Sequence, residues 1–225
     1  MEKFLSYVPL LIEGLKVTLA IFTCALVVAT LFAIVAGTVR FSGPKWLSRP
    51  VAALVEFFRG TSCFVQLFWC FYALPLFGLT LTPFMTSVIV LGLNVGSFGS
   101  EVVRGALEAV PKGQIEAARA LNYSPLKSFL HILMPQAMRI AIRPAANLMV
   151  DLLKLTPLTS LVTVNELTRN AMVMRNQTGS TLGTLLCIFA VYFLLSSLIY
   201  FVMNRLEVHF IHRKAVRAAS TRVAA

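Results

Sequence analysis

Three stretches of this chain carry no charged side chain: between Lys16 and Arg40, between Arg59 and Glu101, and between Arg175 and Arg205. A helix needs about 20 apolar residues to cross the hydrocarbon core of a bilayer, and the middle gap is long enough for two crossings. Of 225 residues, 58% are hydrophobic and 13% charged; a soluble domain carries about 25% charge. This excludes a soluble enzyme, a disordered tail and a disulfide-stapled secreted domain. The chain reads as an all-α integral membrane protein. Its four cysteines (Cys24, Cys63, Cys70, Cys187) lie in apolar stretches without a CxxC pair, so neither zinc nor a disulfide framework is indicated. The opening MEKFLSYVPLLIEG lacks an early basic region and a small-residue cleavage site, so no cleaved signal peptide is expected.

Five spans are expected: Val17 to Gly37, Val51 to about Phe77, Phe84 to about Glu108, Gln136 to about Val162, and Thr181 to about Met203. Residues 1–16, with Phe4, Val8, Leu11, Ile12 and Leu15 at helical spacing, are expected to lie flat on the outer surface. Residues 17–208 form one transmembrane domain with a cytoplasmic hairpin at 110–135, and residues 209–225 a basic cytoplasmic tail. With the N-terminus outside, the inner segments collect Arg40, Lys45, Arg49, Arg104, Lys112, Arg119, Lys127, Arg139, Arg143, Arg205, Arg213, Lys214, Arg217 and Arg222. The outer segments hold only Lys3, Lys16, Arg169 and Arg175. The positive-inside rule therefore puts the N-terminus out and the C-terminus in. It also accounts for the net charge of +11. The basic residues form no aromatic-interleaved stripe, so the expected partner is the lipid bilayer and not nucleic acid.

Polar side chains inside a span are costly unless they face protein or a wet cavity. At about 100° per residue, Glu56, Arg59, Cys63, Gln66 and Cys70 share one face of the second span. Ser87, Asn94, Ser97, Glu101, Arg104 and Glu108 share a face of the third; its other face, Gly92, Gly96, Gly99 and Ser100, suits close helix packing. Arg139, Arg143, Asn147, Asp151 and Lys154 share a face of the fourth, and Pro157 should kink its outer end. Arg104, Glu108, Arg139 and Arg143 read as interfacial ion pairs. The deeper Arg59, Gln66, Asn94, Glu101, Asp151 and Lys154, together with Thr156, are candidates for a solute pathway, with intramembrane ion pairing as the alternative. Glu166, Arg169 and Arg175 fall on the outer side, either as contacts for a binding protein or as ordinary solvated loop.

The polar stretch GQIEAARALNYSPLKSFLHILMPQAMR follows the third span. Gln114 to Leu121 favours a helix, Asn122 supplies a left-handed residue to end it, and Ser124-Pro125 restarts one as N-cap and first residue. Pro135 is expected to interrupt before the fourth span. Two short helices in a cytoplasmic hairpin result.

Glu116-Ala117-Ala118, the turn at Asn122 and Ile132-Leu133-Met134-Pro135 resemble the EAA motif of ABC importer permeases. Val110-Pro111-Lys112-Gly113-Gln114, Pro135-Gln136-Ala137, Phe58-Arg59-Gly60-Thr61, Gln66-Leu67-Phe68 and Glu101-Val102-Val103-Arg104-Gly105 are similar to landmarks of the polar amino acid (histidine, glutamine, arginine) permease family. Leu93-Asn94-Val95-Gly96-Ser97 and Ala120-Leu121-Asn122 further resemble its ectoine/hydroxyectoine branch. The resemblance implies five transmembrane helices of the type I ABC importer permease kind in the bacterial inner membrane. It also implies that Glu116, Ala117, Ala118, Asn122 and Pro135 couple to a cytoplasmic ATPase dimer. A second permease subunit and an extracellular or periplasmic solute-binding protein complete the implied complex. The chain has no GxxxxGK[ST] loop, so ATP and Mg belong to the partner ATPase and this chain needs no cofactor. Relatives often read Lys-Asp-Thr-Ser-Leu where this chain has Lys154-Leu155-Thr156-Pro157-Leu158; the missing acid favours a solute with a delocalised positive charge, such as ectoine. The competing class is a small ion channel or secondary transporter. A channel needs no docking hairpin, and an inverted-repeat transporter should show internal symmetry, which this sequence lacks. An intramembrane enzyme is disfavoured because His131, His209 and His212 face no acidic cluster.

Overall fold

A computed structural model describes residues 7–223, with side chains described through residue 208. Its helices are α1 (Val8–Ser42), α2 (Lys45–Gly60), α3 (Cys63–Phe68), α4 (Pro83–Glu108), α5 (Lys112–Ala120), α6 (Pro125–Ser128), α7 (Met134–Leu155), α8 (Leu167–Thr178) and α9 (Thr181–Val223). Turns of altered pitch prolong three of them: Trp69–Ala73 and Leu74–Phe77 after α3, Phe129–Leu133 after α6, and Thr156–Val162 after α7. Four runs are long and apolar enough to cross a membrane: Val8–Ser42, Pro83–Glu108, Pro125–Val162 and Thr181–Val208. The pair Lys45–Gly60 and Cys63–Phe77, bent by 103°, supplies a fifth, broken crossing.

The centre is a close parallel pairing of α1 with α4. Ala25, Ala29, Ala33 and Ala36 form a small-residue stripe on α1, and the predicted Gly92, Gly96, Gly99 and Ser100 face meets it. A Cβ on Gly96 would stand 2.9 Å from the Ala29 carbonyl oxygen, and one on Gly37 2.8 Å from that of Ser100. Without a hydrophobic driving force between helices in lipid, such close backbone packing must provide the attraction. Leu67, Leu152, Val162 and Val164 close the core over Ile21, Val90 and Leu91.

Residues 8–16, expected as a separate surface segment, instead continue the first span. Asn170 Nδ2 donates to the Leu10 carbonyl at 2.9 Å, and Gly14 packs on Leu167, so α8 fastens one face of these turns to the bundle. Residues 1–6 of that expected segment lie outside the described residues. The second span is not continuous, so the face drawn across it does not exist. Gly60 ends α2, Thr61 and Ser62 are both extended, and the chain turns sharply before α3. Pro135 does not interrupt the chain either. The π turn Phe129–Leu133 precedes it, with Met134 N–H bonding back five residues to the Phe129 carbonyl. This wider register accommodates the proline, and α6 runs into α7 as one span. Pro157 falls where α7 tightens into the turn Thr156–Val162.

Candidate functional site

The residues expected on a pathway separate into three places. The first is an ion cluster towards the hairpin end of α4. Glu101 accepts from Arg40 at 2.6 Å, Arg59 at 3.2 Å and Arg104 at 2.9 Å. Arg59 also meets Glu56 at 3.1 Å and lies over the Phe98 ring, while Arg104 meets Glu108 at 2.6 Å. Three guanidinium groups and three carboxylates thus neutralise one another across α1, α2 and α4. The structure brings Arg59 and Glu101 into this network instead of leaving them free to meet a solute. Sequence places Arg40 only among the inner-side cations; its partner is invisible there because Glu101 lies two spans further along the chain.

Gln66 and Asn94 form the second place, the mend at the broken span. With no water in the bilayer core, a helix break must find partners for its freed carbonyls. Gln66 Nε2 donates to the Phe58 carbonyl at 2.9 Å and to the Thr61 hydroxyl at 2.6 Å. Asn94 Nδ2 donates to the same Phe58 carbonyl at 3.1 Å and to Gln66 Oε1 at 3.2 Å. Both side chains are buried and consumed by the fold.

The third place is a groove between α7 and α9. Asn147, Asp151 and Lys154 line it from α7; Phe189, Tyr192, Phe193, Ser196, Ser197 and Tyr200 line it from α9. Asp151 and Lys154 stand 4.0 Å apart with side chains 60% and 62% exposed. Among the described residues of α9 only Thr184 and Glu207 are buried. Arg143 ties α9 through Glu207 on the hairpin side, and Tyr192 ties its middle through Glu166. The α9 side of the groove was missed in sequence. Its signal is Tyr192, Ser196 and Tyr200 at i, i+4 and i+8 in an otherwise apolar run.

Thr156 is fully buried and donates to the Leu153 carbonyl at 2.8 Å. Beyond it, Glu166 is not a solvated contact for a binding protein. It is fully buried as the N-cap of α8, accepting from the backbone N–H groups of Thr168 and Arg169 at 2.8 Å each. The Tyr192 hydroxyl donates to it at 3.1 Å, and Thr18 lies at 3.5 Å. Burial pushes its carboxyl pKa up, against the hydrogen bonds that favour the charged form.

In the hairpin, Asn122 takes the left-handed conformation (φ 57°). Tyr123 N–H bonds the Ala118 carbonyl and Asn122 N–H that of Arg119, the Schellman pattern, and Ser124 caps α6. Glu116, Ala117, Asn122 and Pro135 are exposed, while Ala118 is 1% exposed and packs inward.

The bundle thus carries a groove with open charges along one span and a capped hairpin after the third span. The family described as the inner membrane component of binding-protein-dependent transport systems matches residues 29–214. A probable amino-acid ABC transporter permease of Sinorhizobium fredii is 34% identical over 192 residues, covering 85% of this chain and 83% of that protein. The L-cystine transport system permease TcyB of Bacillus subtilis is 36% identical over 166 residues, covering 74% and 71%. The glutamine transport system permease GlnP of Escherichia coli is 31% identical over 205 residues, covering 89% and 92%. Among solved structures, an amino acid ABC transporter with histidines matches with TM-score 0.84 at 26% identity, covering 92% of this chain and 96% of that one. The MetNI methionine ABC transporter, inward-facing, shares the fold with TM-score 0.78 at 20% identity, covering 90% and 97%. The chain belongs to the inner-membrane permease family of binding-protein-dependent ABC importers. It is a multi-pass membrane component of the bacterial inner membrane, and not itself a catalytic enzyme.

Proposed function

We propose that this chain is one permease half of an importer that carries a small zwitterion of the polar amino acid class into the cytoplasm. Its N-terminus is outside and its C-terminus inside. The observation that carries this reading is the Asp151–Lys154 pair, opposite charges 4.0 Å apart, both largely exposed within a span. Charges left open at that depth are costly unless a solute or a partner subunit compensates them. A zwitterion offers a cation to Asp151 and an anion to Lys154, while Asn147, Ser196 and Ser197 supply neutral hydrogen bonds. The amino-acid, cystine and glutamine permeases among the relatives support the class.

Position 155 gives no reason to narrow the class to ectoine. Leu155 packs against the apolar core, so an acid there is not missing from the groove. The partners that fit are a second permease, identical or paralogous, a solute-binding protein outside, and a cytoplasmic ATPase dimer holding ATP and Mg. Glu116 and Ala117 present the exposed face of α5 to that ATPase, where small size permits close approach and the carboxylate offers charge-assisted hydrogen bonds. Glu116→Lys should therefore lower import and stimulated ATP hydrolysis while the complex still assembles.

The test is uptake by the complete transporter in liposomes with its binding protein. Glutamine, histidine, arginine, glutamate and ectoine are offered in competition with a sugar and an inorganic ion. Import of one of the zwitterions is expected. Uptake of the sugar or ion, with none of the zwitterions competing, overturns the reading.

A further inference from the structure

The polar residues of the α7–α9 groove continue past the Asp151–Lys154 pair. On α7, Arg143, Asn147 and Asp151 recur at i, i+4 and i+8; on α9, Ser196, Tyr200 and Asn204 do the same. On the hairpin side a further cavity of about 330 Å³ has Arg143, Asn147, Tyr200, Asn204 and Glu207 in its lining. Asn147 and Tyr200 line both this cavity and the groove, so the two are contiguous.

Arg143 is only partly used by the fold. It donates to Glu207 through Nε, and among the described residues neither Nη1 nor Nη2 has a hydrogen-bond partner. The Arg143 side chain is 79% exposed, that of Glu207 only 11%. Glu207 therefore anchors the guanidinium at one nitrogen and leaves its two terminal nitrogens open. Two parallel N–H donors are the geometry that matches the oxygens of a carboxylate. The amides of Asn147 and Asn204 are exposed, and among the described residues neither has a hydrogen-bond partner. Their carbonyl oxygens are acceptors for an ammonium.

Arg143 and Asp151 are eight residues apart on one helix, about 12 Å along its axis. An α-amino acid carries its ammonium and carboxylate on the same carbon, so these two charges cannot reach both places at once. The cavity is thus a separate station from the Asp151–Lys154 pair, with Asn147 common to the two.

Resting on the reading of the groove as a zwitterion pathway, we infer that Arg143 is the carboxylate-binding residue of a second subsite and that Glu207 is its positioning residue. The carboxylate takes the two terminal nitrogens of Arg143, and the ammonium takes the oxygens of Asn147 and Asn204. On the topology proposed above the hairpin side is cytoplasmic, which makes this subsite the exit station.

The experiment uses the complete transporter with its binding protein. Arg143→Lys preserves the ion pair with Glu207 but replaces the two-nitrogen fork by a single nitrogen. A purely structural tie predicts normal import by this variant. The subsite predicts an import rate in liposomes lowered about ten-fold, the weight of a hydrogen bond to a charged group, at an unchanged melting temperature. Asn204→Leu should lower import less, also without a change in melting, because its amide bonds nothing in the fold. Occupancy is read in nanodiscs, where both faces are open, from the labelling rate of Asn204→Cys in a cysteine-free background. A millimolar mixture of glutamine, histidine, arginine, glutamate and ectoine should slow labelling in the presence of ATP. Normal import by Arg143→Lys overturns the inference, as does labelling that the mixture leaves unchanged. Protection that follows phosphatidylglycerol content instead of the mixture overturns it too, since a lipid headgroup would then hold the guanidinium. So does an Asn204→Cys variant that no reagent reaches, since the second permease would then fill the cavity. Import of a sugar or inorganic ion in place of the zwitterions overturns the pathway reading itself, so the two failures are told apart.

Discussion

The cluster around Glu101 and the pair Asp151–Lys154 are both sets of charges inside spans, yet they sit in opposite conditions. At Glu101 three arginines from three helices surround a carboxylate that is 22% exposed, and every charge has a partner at hydrogen-bonding distance. Asp151 and Lys154 come from one helix, barely touch at 4.0 Å and stand open to the groove. The first set is an interior tie that fastens the broken span to α1 and α4. The second leaves its hydrogen-bonding capacity unspent, which is what a passing solute requires. Charge in a membrane marks function only where the fold has not already neutralised it.

Breaking the tie should have the largest effect on stability. Glu101→Gln leaves three guanidinium groups with one fewer carboxylate. Partial exposure trims the cost to about 2–3 kcal/mol. The melting temperature of the purified complex should fall; an unchanged melt would mean the cluster is solvated and the contrast with Asp151 is wrong.

The mend at the break comes next. Gln66→Leu removes the bonds to the Thr61 carbonyl and hydroxyl and leaves Asn94 alone on the Phe58 carbonyl, costing about 1–3 kcal/mol, and Asn94→Leu leaves Gln66 Oε1 without its donor at a similar cost. Because either change breaks the Gln66–Asn94 bond, while only both together strand the Phe58 carbonyl, their effects should depart from additivity by at least about 0.5 kcal/mol. Strict additivity in thermal melts would show that they act separately.

Glu166 tests a carboxyl that is buried but satisfied. Its folded pKa is raised, so the folded state keeps its proton to higher pH than the unfolded state does. Stability should therefore be greatest below the ordinary value of 4.5 and decline as pH rises from there through the raised folded value. Glu166→Gln should flatten that limb of the melting-temperature profile. A limb unchanged in Glu166→Gln would assign it to another group.

Asp151→Asn and Lys154→Gln should disturb stability least, within about 0.5 kcal/mol, as exposed pairs do. Their import rates should nevertheless fall in liposome uptake while basal ATP hydrolysis persists. A loss of stability matching that of Glu101→Gln would make the groove another structural tie.

Much of the fold was legible from local signals. Charge gaps marked the crossings, and the small face of α4 announced close packing without naming its partner helix. Asn122 and Ser124-Pro125 placed the hairpin turn because caps depend on neighbours in sequence. The candidate site was legible only as a set of polar residues. The sequence could place Glu101 and Asp151 at comparable helical angles on their spans, but helical angle says nothing of what stands opposite.

What the sequence alone determined is therefore the apolar, multi-span character, the small-residue packing face and the hairpin's capped ends. Each arises from chemistry within a few residues of the chain. Tertiary structure decided that the second span breaks by 103° at Thr61-Ser62, that Gln66 and Asn94 are spent repairing it, and that Glu166 is buried. It also decided which charges are neutralised, because a carboxylate's fate depends on arginines brought to it from other helices. Hydrogen-bond satisfaction in a water-free core is settled across the whole bundle, and no window of sequence contains it.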